Sequence, residues 1–183
     1  MYYAALVPCV FSAFIGERIS IFMGVRTLTA PYPVEEVPDF YGIAWGKAIL
    51  LAICFAFVGA LFCVMLHIFE KQLKKWFQNP YLRVFIGGVT VVLLWKITGT
   101  DTYLGLGGGT IAQSFEEPQK LWVFLLKILF TCITLCSGFK GGEIVPSLFI
   151  GATFGSALAP IFGLPVDICA ACGMVGVFCA VPN

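Results

Sequence analysis

The sequence predicts an all-α membrane protein that crosses the bilayer several times with tilted and re-entrant helices. Of its 183 residues, 60% are apolar and only 11% are charged, and the mean hydropathy is +0.96. Soluble domains do not have this balance. Several apolar stretches are broken by glycine or proline. Such breaks favour a transport protein over a simple anchor, because irregular backbone at membrane depth must be covered by protein or must line a water-filled path.

Six apolar stretches define the predicted helices: Tyr2 to Val25, Ile43 to Phe69, Leu82 to Ile97, Leu121 to Phe139, Ile144 to Leu164, and Val166 to Val181. A membrane-spanning helix needs about 20 apolar residues. Ile43 to Phe69 meets this requirement, whereas Leu82 to Ile97 is short and Ile144 to Leu164 contains Gly151, Gly155 and Pro160. We expect residues 1–183 to form part of a single transmembrane domain.

Charge is distributed unevenly between the links. The link from Glu70 to Arg83 carries three lysines and an arginine against one acid, whereas other links are acidic. Basic links favour the cytoplasmic side, so Ile43 to Phe69 is predicted to run inward and Leu82 to Ile97 outward. The glycine-rich link Gly105 to Gly109 then lies near the outer face. The pattern predicts a multi-pass protein of the cell membrane, and a net charge of +1 gives no indication of a nucleic-acid partner.

The eight cysteines lie in apolar runs, where thiols behave as small hydrophobic groups. Cys169 and Cys172 form a C-x-x-C pair, but neither a second pair nor a histidine accompanies them. The only histidine, His67, also lacks neighbouring metal ligands in the sequence. We therefore expect no metal site and no cofactor.

The segment from Lys127 to Gly155, KILFTCITLCSGFKGGEIVPSLFIGATFG, carries the chemistry. An apolar helix is predicted to end at Ser137 and Gly138, where a short flexible link follows. A second helix is predicted to start near Glu143, because proline is tolerated in a first helical turn and Pro146 lies there. This arrangement places the start of a helix at membrane depth.

The start of this second helix is the predicted anion site. Gly141 and Gly142 carry no side chains, so the amides of Gly142, Glu143, Ile144 and Val145 can approach a ligand closely. The positive end of the helix dipole then attracts an anion without a fixed cation. The residues expected to support the pore around these amides are Ser137, Gly138, Phe139, Lys140 and Pro146.

The same segment resembles the CLC family of chloride channels and anion/proton antiporters. The matching residues, in order, are Lys127, Thr131, Thr134, Ser137, Gly138, Gly141, Gly142, Pro146, Gly151, Ala152 and Gly155. The resemblance implies a homodimer with one anion pathway per subunit, transport of chloride as the leading candidate, and no catalysis. It also implies that the amides of Glu143, Ile144 and Val145 line the central anion site.

The resemblance extends more loosely along the whole chain. The segment from Gly105 to Ile111 is similar to a glycine-rich re-entrant link of the family, and the first span is similar to one at the dimer interface. By length the match covers about half of a family member. The family's gating-glutamate segment would precede Met1 and its late pore tyrosine would follow Asn183, so we expect the chain to be a fragment from the middle to later half.

Glu143 leaves the choice of anion open. The Gly-Gly-Glu sequence is similar to the fluoride/proton antiporter branch of the family, although that branch tends to have threonine where Val145 stands. A neutral, hydrogen-bond-donating Glu143 is one hypothesis, because burial disfavours a charged carboxylate. In the alternative, Glu143 caps its own helix or pairs with Lys140. Channel and proton-coupled antiporter both remain open.

Two further alternatives concern the role of these residues. A membrane-embedded enzyme using Glu143 and Lys140 as acid and base is disfavoured, since the sequence shows no second convergent acid, metal cluster or nucleophile motif. A structural membrane subunit would need no anion site. Lys127 is predicted to extend its side chain toward the nearer membrane interface, without a role in the pore.

Overall fold

The computed structural model describes residues 6–23 and 43–181, and most of these residues are helical. The elements are α1 (Leu6–Phe22), α2 (Ile43–Trp76), α3 (Pro80–Thr98), a single 3₁₀ turn (Asp101–Tyr103), α4 (Gly108–Glu116), α5 (Trp122–Ser137), α6 (Ile144–Phe162) and α7 (Val166–Ala180). The described residues contain no β-strand. The predicted all-α class is confirmed. Helix α1 belongs to a unit separate from α2–α7.

Long and short apolar helices occur together, as the sequence predicts, but the short ones are not those predicted. Leu82 to Ile97 lies in a 19-residue helix, and Ile144 to Leu164 contains a continuous helix of the same length. Trp45–Trp76, Pro80–Thr98 and Ile144–Phe162 are long and apolar enough to cross a membrane. Helices α5 and α7 have 16 and 15 residues. At 1.5 Å per residue they are about 24 and 22 Å long, shorter than a hydrocarbon core of about 30 Å. These two helices are therefore of the length expected for partial crossings.

Two predicted links are largely helical. Helix α2 continues through the lysine-rich segment to Trp76, where Glu70 and Lys74 form an ion pair one turn apart. Lysine and glutamate are good helix formers, so the segment extends the helix despite its charge. The second is the glycine-rich link that starts at Gly105. It leads into α4, which begins at Gly108 after two glycines, Gly105 and Gly107, in the left-handed region.

Asn79 starts α3 after a three-residue break, because its side chain accepts a hydrogen bond from the amide of Tyr81 at 3.0 Å and Pro80 occupies the first turn. Replacing Asn79 with alanine is expected to lower the free energy of unfolding by about 1 kcal/mol, the usual effect of losing an N-cap. Denaturant unfolding of the purified protein in detergent measures the change. The exposed neighbour Gln78 provides the control, and an equal loss in Gln78→Ala would contradict the capping argument.

Helix α6 lies at the centre of the α2–α7 unit and packs against α2, α4, α5 and α7. Its face toward α7 carries small residues: a methyl group at Gly151 would overlap the carbonyl of Gly173, and one at Gly155 would overlap the carbonyl of Cys169. Small residues allow two membrane helices to approach at backbone distance. On another side, Phe154 packs edge-on against Phe124 at 4.7 Å between ring centroids. This packing fixes α6 and therefore the position of its first turn.

Candidate functional site

The link between α5 and α6 has the predicted form. Helix α5 ends at Ser137, and Gly138 follows in the left-handed region with φ of 104°. Its amide donates to the carbonyl oxygen of Leu135 at 3.1 Å. Helix α6 begins at Ile144, with Glu143 as the preceding residue and Pro146 in the first turn. The predicted helix end and helix start are both confirmed.

The first amides of α6 have no partner within the described part of the chain. The first hydrogen bond at this end of the helix runs from the amide of Ser147 to the carbonyl oxygen of Glu143 at 3.0 Å. The amides of Ile144 and Val145 precede it and donate to no group of residues 6–23 or 43–181. Unsatisfied amides at a helix start carry the positive end of the helix dipole. They are available to a ligand.

These amides belong to residues that line a cavity of about 720 Å³, here called the helix-start cavity. Its walls come from the 103–106 turn, from α5, and from the start of α6. They are formed by Val91, Tyr103, Leu104, Gly105, Leu106, Lys127, Phe130, Thr131, Thr134, Leu135, Lys140, Gly141, Gly142, Ile144, Val145 and Pro146. This lining includes two lysines and no acidic residue. The cavity therefore favours a negatively charged occupant over a positive one.

A second cavity, here called the charged cavity, lies on the same link. It has a volume of about 420 Å³ and is lined by Leu66, Glu70, Lys74, Arg83, Leu135, Cys136, Gly138, Phe139, Lys140, Gly141 and Glu143. Lys140 and Gly141 line both cavities. The segment that joins α5 to α6 thus forms part of the wall of each. Three basic and two acidic side chains give the charged cavity a small positive excess.

The structure divides the predicted site residues between these cavities. Gly142, Ile144, Val145 and Pro146 line the helix-start cavity, whereas Gly138, Phe139 and Glu143 line the charged cavity. Ser137 lines neither of them, because its side chain lies against Gly87 of α3. The Ser137 hydroxyl is buried and has no hydrogen-bond partner among the described residues. The backbone carbonyl of Ser137 accepts a hydrogen bond from Nε of Arg83 at 3.4 Å.

The sequence suggested that Glu143 is buried, caps its own helix or pairs with Lys140, and the described part of the structure shows none of these three arrangements. Among the described residues its side chain is exposed rather than buried. It makes no capping hydrogen bond to α6. The one ion pair found across residues 6–23 and 43–181 joins Lys74 to Glu70, so Glu143 does not pair with Lys140.

The position of Lys127 differs from the prediction. Lys127 is only 2% exposed, so its side chain does not extend to a membrane interface. Instead Nζ donates hydrogen bonds to the carbonyl oxygens of Gly105 at 2.9 Å and Tyr103 at 3.2 Å. These two hydrogen bonds replace the water that a buried ammonium group would otherwise need as a partner.

Sequence analysis also did not place Thr131 and Thr134 in the wall of the helix-start cavity. Both lie on the same face of α5 as Lys127, at steps of four and three residues. Polar residues repeated at i, i+4 and i+7 within an apolar helix mark a polar stripe. This spacing was the sequence signal for a face of α5 that lines a cavity.

Comparison with known proteins supports this description of the fold. Residues 1–183 match the family described as "Voltage gated chloride channel". A "Chloride/fluoride channel protein" of Pseudomonas syringae pv. tomato is 35% identical over 189 residues, covering 100% of this chain and 41% of that protein. A crystal structure of a CLC-type fluoride/proton antiporter superposes with a TM-score of 0.86 at 33% identity, over 97% of this chain and 45% of that one.

The chain thus spans a little under half the length of these two relatives. The relatives are named as a channel and an antiporter, and neither is named as an enzyme. The membrane location predicted from hydropathy is supported by the family and by the three long apolar helices. The match over every residue, together with the shared arrangement of helices, shows that the chain belongs to the voltage-gated chloride channel (CLC) family.

Proposed function

We propose that the protein moves anions across the cell membrane, with chloride as the principal ion, and that the anion binds at the start of α6. The observation that carries this proposal is the pair of unpartnered amides at Ile144 and Val145, beside a cavity whose lining contains no acidic residue. An anion can also approach closely at Gly142, because no atom of residues 6–23 or 43–181, apart from its chain neighbours, lies within 4 Å of the position where a side chain would begin.

Backbone amides suit an ion that must also leave. A lysine ammonium in direct contact would hold an anion strongly at low dielectric, whereas helix-start dipoles offer weaker, distributed stabilisation. The two lysines of the cavity wall have different positions. Nζ of Lys127 is engaged by two carbonyl groups, whereas Lys140 is exposed on the link that borders both cavities. Lys140 can therefore raise the local anion concentration without closing the site.

A second candidate is fluoride/proton antiport by the same pathway. It is favoured by the Gly-Gly-Glu sequence, which places the carboxylate of Glu143 in the charged cavity one residue before α6. The similar proteins include one named for chloride and fluoride and one named as a fluoride/proton antiporter. In this version, Glu143 is the proton-exchanging group of the pathway and lies in the charged cavity, beside the start of α6.

The complete transporter is proposed to be a homodimer in the lipid bilayer, with one pathway per subunit and no chemical reaction. Segments corresponding to the remainder of the longer relatives would supply the rest of each pathway. The residues named here would contribute one helix start and the two cavities beside it. Residues Gly141 to Val145 are proposed to bind the anion, and Ser137 to Lys140 with Pro146 are proposed to support the pore.

Anion efflux from proteoliposomes tests the proposal. The full-length protein is reconstituted into vesicles loaded with potassium chloride or potassium fluoride, and valinomycin is added to balance the charge. An ion-selective electrode measures the released anion, while a pH-sensitive dye reports proton movement. Chloride efflux without proton movement supports a channel, and fluoride efflux coupled to protons supports the second candidate. Vesicles that release neither anion faster than protein-free vesicles would rule out both.

A further inference from the structure

Lys127 connects two segments that are distant in sequence. Its Nζ atom, which originates on α5, donates hydrogen bonds to carbonyl oxygens of Tyr103 and Gly105, 24 and 22 residues earlier. The same atom lies 4.7 Å from the ring centroid of Phe149 on α6. The ammonium group of this α5 residue therefore contacts both the turn after α3 and helix α6.

The turn that Lys127 holds has few other hydrogen bonds: the amide of Leu104 donates to the carbonyl oxygen of Asp101 at 3.0 Å, and the carbonyl oxygen of Gly107 accepts from two amides in the first turn of α4. Gly105 and Gly107 both adopt positive φ, at 61° and 68°, a region that glycine reaches without steric cost. Glycine also loses more conformational freedom on folding than any other residue. Gly107 lies against the Phe149 ring so closely that an added methyl group would come within 2.5 Å of it. Tyr103 stacks on Phe130 of α5 at 5.5 Å between centroids. Between these two ring contacts, the Lys127 ammonium group donates hydrogen bonds to the backbone carbonyls of Tyr103 and Gly105.

This turn is also part of the wall of the helix-start cavity. Tyr103, Leu104, Gly105 and Leu106 line the cavity together with the first residues of α6. A displacement of the turn would therefore widen the space in front of the amides proposed to bind the anion. Lys127 itself also lines this cavity, so the residue belongs to the wall and bonds the segment beside it.

We infer that Lys127 is a positioning residue, whose ammonium group holds the Tyr103–Gly105 turn as a fixed wall of the helix-start cavity and so limits access to the start of α6. It does not touch the anion in this role. The inference rests on the proposed function for its consequence in transport, but the position of the wall can be measured without transport. Loss of the ammonium group should open the cavity locally while the α2–α7 packing persists.

Cysteine labelling tests this inference. In the full-length protein with its reactive native cysteines replaced, Thr134→Cys places a thiol in the helix-start cavity, and a charged methanethiosulfonate reagent reports its accessibility. In the Lys127→Met background the labelling rate is expected to rise about tenfold, the effect of losing a charge-assisted hydrogen bond that opposes a local opening. Lys127→Arg retains the cation and should remain within about twofold of the parent rate, because a guanidinium can donate to the same carbonyls.

A thiol at Leu66→Cys, in the charged cavity, provides the matched control. General loosening of the fold would raise both labelling rates, whereas a held wall changes only that of Thr134→Cys. If Lys127→Met does not fold, Lys127→Gln removes the charge with a smaller change in polarity and gives the same comparison. Equal labelling of Thr134→Cys with and without the ammonium group would overturn the inference. Faster labelling in a protein that shows no anion flux would support the held wall and contradict the proposed function instead.

Discussion

Replacing Gly142 with leucine is expected to abolish most anion flux while leaving the fold intact. Apart from the chain neighbours of Gly142, no atom in the described part of the chain lies within 4 Å of the position of a β-carbon there, and its φ is not in the left-handed region. The described part of the chain can therefore accept a side chain there without strain. That side chain would enter the helix-start cavity, which Gly142 lines beside Ile144 and Val145. A leucine side chain in front of these amides would block the anion and displace the water that hydrates it. The rate of anion flux should therefore fall by about tenfold or more.

The measurement is the initial rate of chloride and fluoride efflux from proteoliposomes at equal protein density. Gly109→Leu is the matched control. Gly109 is the second residue of α4 and is exposed, and among the described residues no atom outside its chain neighbours and its own helix lies within 4 Å of the new β-carbon. It lines neither of the two cavities at the α5–α6 link. Both variants should have melting temperatures close to that of the parent protein. Normal flux through a well-folded Gly142→Leu protein would mean that the anion does not pass the start of α6.

The start of α6 could be predicted from the sequence because its determinants are local. A double glycine, an acidic residue and a proline within six positions limit where the helix can begin, and α6 begins at Ile144 as expected. The end of α5 was equally local, since Gly138 takes the left-handed conformation that often ends a helix. These features depend on neighbours in sequence, so apolar patterning and turn chemistry were sufficient to find them.

The role of Lys127 could not be predicted in this way, because its partners are main-chain carbonyls more than twenty residues away. The residue types at positions 103 and 105, tyrosine and glycine, do not indicate that their main-chain carbonyl groups accept a hydrogen bond. A buried lysine is costly unless it is paired, so the sequence alone favoured a route to the membrane interface. The partition of Gly142 and Glu143 between two cavities is likewise a consequence of how α2, α3 and α5 pack around the link.

Replacing Gly155 with alanine is expected to destabilise the helical core strongly. The added carbon would overlap the main-chain carbonyl oxygen of Cys169 on α7. A flexible side chain could rotate away from such an overlap, but backbone cannot, so α6 and α7 would have to separate. Overpacking of a tight core costs about 1–3 kcal/mol, occasionally more, and a contact with backbone belongs at the upper end of this range. The gain in helix propensity from glycine to alanine, about 1 kcal/mol, offsets only part of it.

Gly109→Ala separates these two contributions. It makes the same chemical change in α4, where no described atom outside that helix's own backbone lies within 4 Å of the new carbon. Only the propensity gain then remains, so stability should be unchanged or slightly higher. Detergent-solubilised variants can be compared by the temperature at which half of the monodisperse peak is lost in size-exclusion chromatography. Gly155→Ala should lose that peak at a clearly lower temperature than the parent. A Gly155→Ala protein as stable as Gly109→Ala would show that α6 and α7 are farther apart than described, and the first turn of α6 would then no longer be fixed by that packing.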